Sequence, residues 1–259
     1  MKLASYADGS RDGHLVVVSR DLTQAHHPTG IATRLQQVLD DWGFLAPQLD
    51  DLAVQLNHGK LRHAFPFDPR KCLAPLPRGS GWAVVGPEGD VQREAGQFSG
   101  PHQPLRAPAE GQLALAAIAG DLAAASDAPA ALDALRLLTL AVDWRIGGEL
   151  IATQCAPLAV TPDELGAGWA SGRLQARLHR LHNGSKQEPR DIDAAPGAAL
   201  ARLARLRALR AGQLAGMDLG PLDLTLAPGD SLLLDLKTAD GASLFGAIDL
   251  DIAPPDATP

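Results

Sequence analysis

The chain is short of several things, and each shortage narrows what it can be. Only two of its 259 residues are cysteine, Cys72 and Cys155, too few for a disulfide framework, so a reducing, cytoplasmic setting is expected. Ten residues are aromatic (five Phe, four Trp, one Tyr), so a core must come mainly from Leu, Val, Ile and Ala. No apolar run approaches the roughly 18–20 residues that cross a bilayer. Residues 1–8 lack the apolar centre of a signal peptide. Positive charge is scarce too. A net charge of −7 and a pI near 5.5 argue against nucleic acid or an anionic membrane as partner. Lysine is outnumbered by arginine, 5 to 18, which together with abundant alanine points to a GC-rich bacterial source. Several common motifs are missing as well: there is no glycine-rich phosphate loop, C-x-x-C, H-E-x-x-H or G-x-S-x-G.

What is present is patterning. Turn signals at Asp8-Gly9-Ser10 and Asp12-Gly13 precede a β-branched run at 15–18, a predicted strand. Residues 33–41 and 46–57 carry apolar side chains at helical spacing, and Asn57-His58-Gly59 supplies a stop. Residues 79–110, punctuated by glycine and proline, read as a long loop or junction. A buried strand is predicted at 113–119, closed by Gly120-Asp121. A helix follows at 128–138 with Pro129 in its first turn, then a short strand at 139–142 ending at Asp143-Trp144. Another helix is predicted at 196–209, and alternating segments at 222–226, 232–236 and 245–252 read as half-buried antiparallel strands. From Pro254 onward the tail is expected to fray. The fold class is α+β, with a β-rich module at 1–78, a junction at 79–110 and a strand-dominated region at 111–259.

Isolated candidates for chemistry are weak. His58 and His63 flank a loop, and a metal site there would need another ligand, so solvated histidines are the ordinary reading. His179 and His182 could share a helical face, without an acidic or cysteine ligand nearby. Cys72 and Cys155 read as small core residues rather than nucleophiles. The arginines at 202, 205 and 207 read as a solvated helix face, with anion binding as the sharper alternative.

A resemblance adds more. The stretches Asp8-Gly9-Ser10-Arg11-Asp12-Gly13, Leu39-Asp40-Asp41-Trp42-x-Phe44-Leu45-Ala46-Pro47, Leu56-Asn57-His58-Gly59-Lys60 and Cys72-x-Ala74-Pro75-Leu76-Pro77-Arg78 carry it first. Further likeness lies at 157–166, at Leu209-Arg210-Ala211-Gly212 and at Leu244-Phe245-Gly246-Ala247-Ile248. Together they resemble the fumarylacetoacetate hydrolase family. That resemblance implies a small β-barrel-like N-terminal module followed by a β-rich mixed roll or sandwich domain, as a homodimer. It also implies cleavage of a carbon–carbon bond in 1,3-diketo acids, with Mg²⁺ or Ca²⁺ held by a Glu-x-Glu pair and an Asp. Two carboxylates at i and i+2 of a strand face one cation, which acts as a Lewis acid.

The implied site residues are mostly replaced. Without gaps the Glu pair falls on Gln112 and Ala114, and with a one-residue gap on Leu113 and Leu115. Asp143 stands at the third metal position, although an Asp after a strand is also an ordinary turn or helix-capping residue. The family's lysine falls on Leu150, and its substrate-carboxylate segment on Met217-Asp218-Leu219-Gly220. The shortened stretch after Arg78 holds one histidine, His102, as the weak catalytic candidate. Glu110, Asp121 and Glu149 are candidates for a relocated metal site, Glu110 foremost. The expectation is a non-catalytic binding or regulatory homologue without a cofactor, paired with itself or with an intact paralogue. The alternative is an active 1,3-diketo acid hydrolase with a rearranged metal site. The cleft is expected to be smaller and more apolar than an active relative's, and Asp143 to be an unpaired carboxylate whose removal is harmless.

Overall fold

A computed structural model describes residues 1–93, 98–106 and 109–253. Two sheets dominate the described residues. The larger has twelve strands, and its main path begins with Phe65–Pro66, Gln24–His26, His14–Val18, Lys2–Tyr6 and Ala159–Val160. It continues through Leu135–Ile146, Ala109–Ala119, Gln213–Leu226, Ser80–Val85 and Val91–Arg93. The smaller sheet is built on Arg173–His182, Ser231–Lys237 and Ile248–Ala253. The clean alternation of leucines at 232, 234, 236 and 250 is buried there as the pattern requires.

The strand Ala109–Ala119 shows how the layers form. Its odd residues Leu113 and Leu115 join a core shared with Leu178, Leu234 and Leu250 of the smaller sheet. Its even residues Ala114, Ala116 and Ile118 join a second core. There they meet Leu39, Leu49 and Leu56 of the helices Leu35–Asp40 and Trp42–Asn57. The order is helices, large sheet, small sheet. No closed barrel is found among the described residues: the strands of 1–78 extend one edge of the large sheet, and Lys2 and Leu3 pair with Val160 and Ala159. No helix among the described residues is long and apolar enough to cross a membrane.

Four expectations are corrected. The stretch read as a loop at 79–110 contains the strand Ser80–Val85, because Trp82-Ala83-Val84-Val85 pairs in parallel with Ala215–Met217, far off in sequence. The helix predicted at 128–138 stops at Asp133. From Leu135 the chain is a twelve-residue strand held between two neighbours, a tertiary override of alanine–leucine propensity. Asp143 therefore sits inside a strand and not at a cap. Likewise His179 and His182 lie on the strand Arg173–His182, where residues three apart face opposite ways.

Candidate functional site

Asp143 lies directly opposite Gln112 across the antiparallel pair, and Ala141 opposite Ala114. On the other side of that strand, Asp218 lies opposite Ala114. Directly opposed residues share a face, so Gln112, Asp143 and Asp218 converge. Leu113, Leu115 and Val142 point into the core between the sheets. The strand pairing therefore places Gln112 and Ala114, not Leu113 and Leu115, on the Asp143 face.

That face opens on a cavity of about 210 Å³. Its polar lining comprises Asp90, Gln112, Asp143, Arg145 and Asp218, and Gly86 and Pro87 close it from the turn after Ser80–Val85. The expectation of a more apolar cleft is overturned. The leucines turn away, while aspartates from two other elements occupy the rim.

Asp143 is only 1% exposed, and it is heavily engaged. The Trp82 indole N–H sits 3.1 Å from Oδ1 and 3.2 Å from Oδ2, and the Thr153 hydroxyl donates to Oδ1 at 2.5 Å. It is not an unpaired carboxylate, so the expectation that its removal would be harmless falls. Trp82 reaches this position because Gly216 leaves room: a Cβ there would lie 2.7 Å from the indole ring. Asp218 is tied down separately. Its Oδ1 accepts from Gln112 Nε2 at 2.5 Å and from the Gly220 backbone N–H at 2.7 Å.

The other candidates lie elsewhere. Glu110 is exposed and sits opposite Arg145, outside the cavity lining. Glu149 is exposed where its strand begins, and Asp121 accepts a hydrogen bond from the Ala211 N–H at 3.1 Å. Leu150 pairs with Arg145 in the adjoining hairpin and does not line the cavity. His102 belongs to another neighbourhood, its Nδ1 3.9 Å from Asp249 on the smaller sheet. His58 and His63 are exposed. Both cysteines are buried, and burial pushes their thiols up, away from the reactive thiolate.

Would these residues suit Mg²⁺ or Ca²⁺? A hard cation wants six or more oxygen ligands with concentrated negative charge. Here both Asp143 oxygens face an N–H donor, Gln112 and Ala114 bring no charge to the same face, and the Arg145 guanidinium borders the cavity. Among the described residues no group of three or more His, Cys, Asp or Glu side chains is placed to hold a metal ion. The residues do not fit the family's cation. Sequence reasoning missed Trp82, Thr153 and Asp90 as parts of this site, and reached Asp218 only as a member of the segment 217–220 that the resemblance aligns with substrate-carboxylate binding. Trp82 is 61 residues from Asp143, and Asp218 is 106 from Gln112, so no local pattern joins them.

Comparison with known proteins agrees with this architecture. Residues 1–78 match the family model described as fumarylacetoacetase N-terminal domain 2. No curated protein matches the chain in sequence. Among solved structures, maleylpyruvate hydrolase from Sphingobium sp. SYK-6 is similar at 14% identity and a TM-score of 0.73, over 98% of this chain and 100% of that one. A fumarylacetoacetate hydrolase from Exiguobacterium antarcticum is similar at 15% identity and a TM-score of 0.72, over 98% and 99%. A probable 2-hydroxyhepta-2,4-diene-1,7-dioate isomerase from Mycobacterium abscessus gives 14% and 0.72, over 99% of both chains. At these identities the likeness is one of fold. Residues 1–78 thus match a fumarylacetoacetase N-terminal domain in sequence, and the chain as a whole shares the fold of these fumarylacetoacetate hydrolase and maleylpyruvate hydrolase structures.

Proposed function

We propose that this protein is a non-catalytic homologue that binds or regulates, having lost the metal-dependent carbon–carbon bond cleavage of its family. The observation that carries the reading is the state of Asp143: its carboxylate is enclosed by the Trp82 N–H and the Thr153 hydroxyl. A carboxylate so engaged must give up those hydrogen bonds before it can ligate a cation, and its former partners at 112 and 114 offer no second charge. Without a Lewis acid, cleavage of a 1,3-diketo acid loses its electrophile. A second reading, an active hydrolase with a rearranged site, draws on one feature: Asp90 and Asp218 bring further carboxylates to the same cavity.

Calorimetric titration of the metal-stripped protein with Mg²⁺, Mn²⁺ and Ca²⁺ decides between them. The proposal expects no heat and no thermal stabilisation at millimolar metal, and no turnover of acylpyruvates. Sub-millimolar binding that disappears in Asp218→Asn or Asp143→Asn, accompanied by metal-dependent turnover, would replace it with the second reading.

A further inference from the structure

The strand Gln213–Leu226 has two faces. Asp218 points into the cavity described above, while its neighbour Met217 points the other way, into a chamber of about 490 Å³. Val84 and Val85, on the parallel neighbour, divide in the same manner. The chamber's walls come from the turn Gly86-Pro87, residues 125–128 at the start of the helix Ala128–Asp133, and the helix Pro196–Ala204. Its size falls within the roughly 300–1,000 Å³ typical of small-molecule sites. Alanines and Met217 make up nearly half of its lining, and among the described residues the charged side chains there are Asp127, Arg202 and Arg205.

Those charges are arranged unequally. Ala198, Arg202 and Arg205 recur at i, i+4 and i+7, so one helical stripe faces the opening. The Arg202 Nε donates to the Gly89 carbonyl at 2.6 Å, which fixes the guanidinium beside the turn and leaves its terminal nitrogens for something else. Arg205 is exposed, and its guanidinium has no hydrogen-bond or ion-pair partner among the described residues. Asp127, the one acid in the lining, is committed as the cap of its helix and accepts from the Ala130 N–H at 3.0 Å. Helix polarity explains basic residues in a last turn. It does not explain an apolar chamber beside them whose two cations lack a counter-ion among the described residues.

We propose that this chamber binds a small carboxylic acid with an apolar body, the carboxylate on Arg202 and Arg205 and the body against Met217 and the alanines. The inference is independent of the reading given to Asp143, because the two cavities lie on opposite faces of the strand. Guanidinium groups suit a carboxylate geometrically, and an uncharged analogue of equal length lacks that pairing.

The test is calorimetry on the intact protein with hexanoate, octanoate and benzoate, beside 1-hexanol and 1-octanol. Affinity should rise from hexanoate to octanoate, and octanoate should exceed 1-octanol by about tenfold, the scale of one charge-assisted hydrogen bond. Arg205→Gln should remove most of that preference. Ala198→Trp, at an exposed position, should abolish binding while the melting temperature stays unchanged. Asp143→Asn should leave binding intact. Equal affinity for acid and alcohol, undiminished binding in both chamber variants, or no binding of any acid at millimolar concentration would each overturn the proposal.

Discussion

Residues 1–78 and residues 109–253 have changed in different ways. The first region matches the fumarylacetoacetase N-terminal domain in sequence, and the second belongs to a fold shared with structures to which the chain as a whole is only 14–15% identical. The contrast shows what each property requires. A fold survives as long as apolar residues of workable size keep returning to the same face, because cores tolerate such exchange. A metal site depends on particular carboxylates at particular positions, and Gln112 and Ala114 supply none on the Asp143 face. On the function proposed above, the second region has retained the pattern and lost the chemistry.

If patterning sustains that region, its core must carry the stability. Leu115 is fully buried between the sheets, and Leu115→Ala should cost about 2–5 kcal/mol in urea denaturation. A loss under about 1 kcal/mol would mean the inter-sheet core is not what holds this half together. Next comes the buried carboxylate at the centre of the candidate site. Asp143→Ala orphans the Trp82 N–H and the Thr153 hydroxyl, each a buried group costing about 1–3 kcal/mol, so a loss of about 2–6 kcal/mol is expected. Asp143→Asn, which retains one acceptor oxygen, should lose less. Should Asp143→Ala prove neutral, Asp143 would be a relic and the contrast between core and site would sharpen further.

How much of this was legible beforehand follows the same division. The alternation at 232–236 and the helical spacing at 46–57 are local, and both elements formed where the pattern put them. The strand Leu135–Ile146 was hidden because its first residues share an alanine–leucine composition with the preceding helix. Only pairing to Ala109–Ala119 and Glu149–Cys155 makes them extended. The strand Ser80–Val85 was hidden by the glycines around it, since its partner lies some 130 residues on. At the site, Gln112 and Asp143 could be placed in sequence by resemblance. The Trp82 contact could not, because it depends on the missing Cβ of Gly216.

The seam between the two regions offers a smaller, pH-dependent effect. Glu164 accepts two hydrogen bonds from Arg20 and lies 3.4 Å from the Met1 ammonium. Burial alone would raise its carboxyl, but Arg20 and the ammonium outweigh that, and it is held below the ordinary 4.5. A carboxyl depressed in the folded state contributes stability above its unfolded value and loses that contribution as pH falls through the folded one. Glu164→Gln should therefore cost about 1–2 kcal/mol at neutral pH, the worth of a charge-assisted hydrogen bond, and nearly nothing well below pH 4. An equal cost at both pH values would show that the seam is held by shape rather than charge.

The smallest effect lies within the first region. His14 stacks on His27 with ring centroids 4.5 Å apart, and its Nε2 is buried without a hydrogen-bond partner among the described residues. Desolvation, then the neighbouring His27 and Arg34, pushes its pKa below 6.5, against a weaker opposing pull from Asp8. The folded state thus takes up a proton less readily than the unfolded chain. No contribution arises above pH 6.5, where both states are neutral, and stability is lost as pH falls from there through the folded value. His14→Gln should flatten that part of the stability profile while leaving neutral-pH stability within about 1 kcal/mol. Hydrogen exchange from pH 7 to 5 locates the loss. Exchange that quickens in residues 1–18 ahead of 109–146 would show that the two regions open separately, although one sheet runs through both. Exchange that quickens in both together would make the large sheet a single cooperative unit, and the division between them one of sequence history alone.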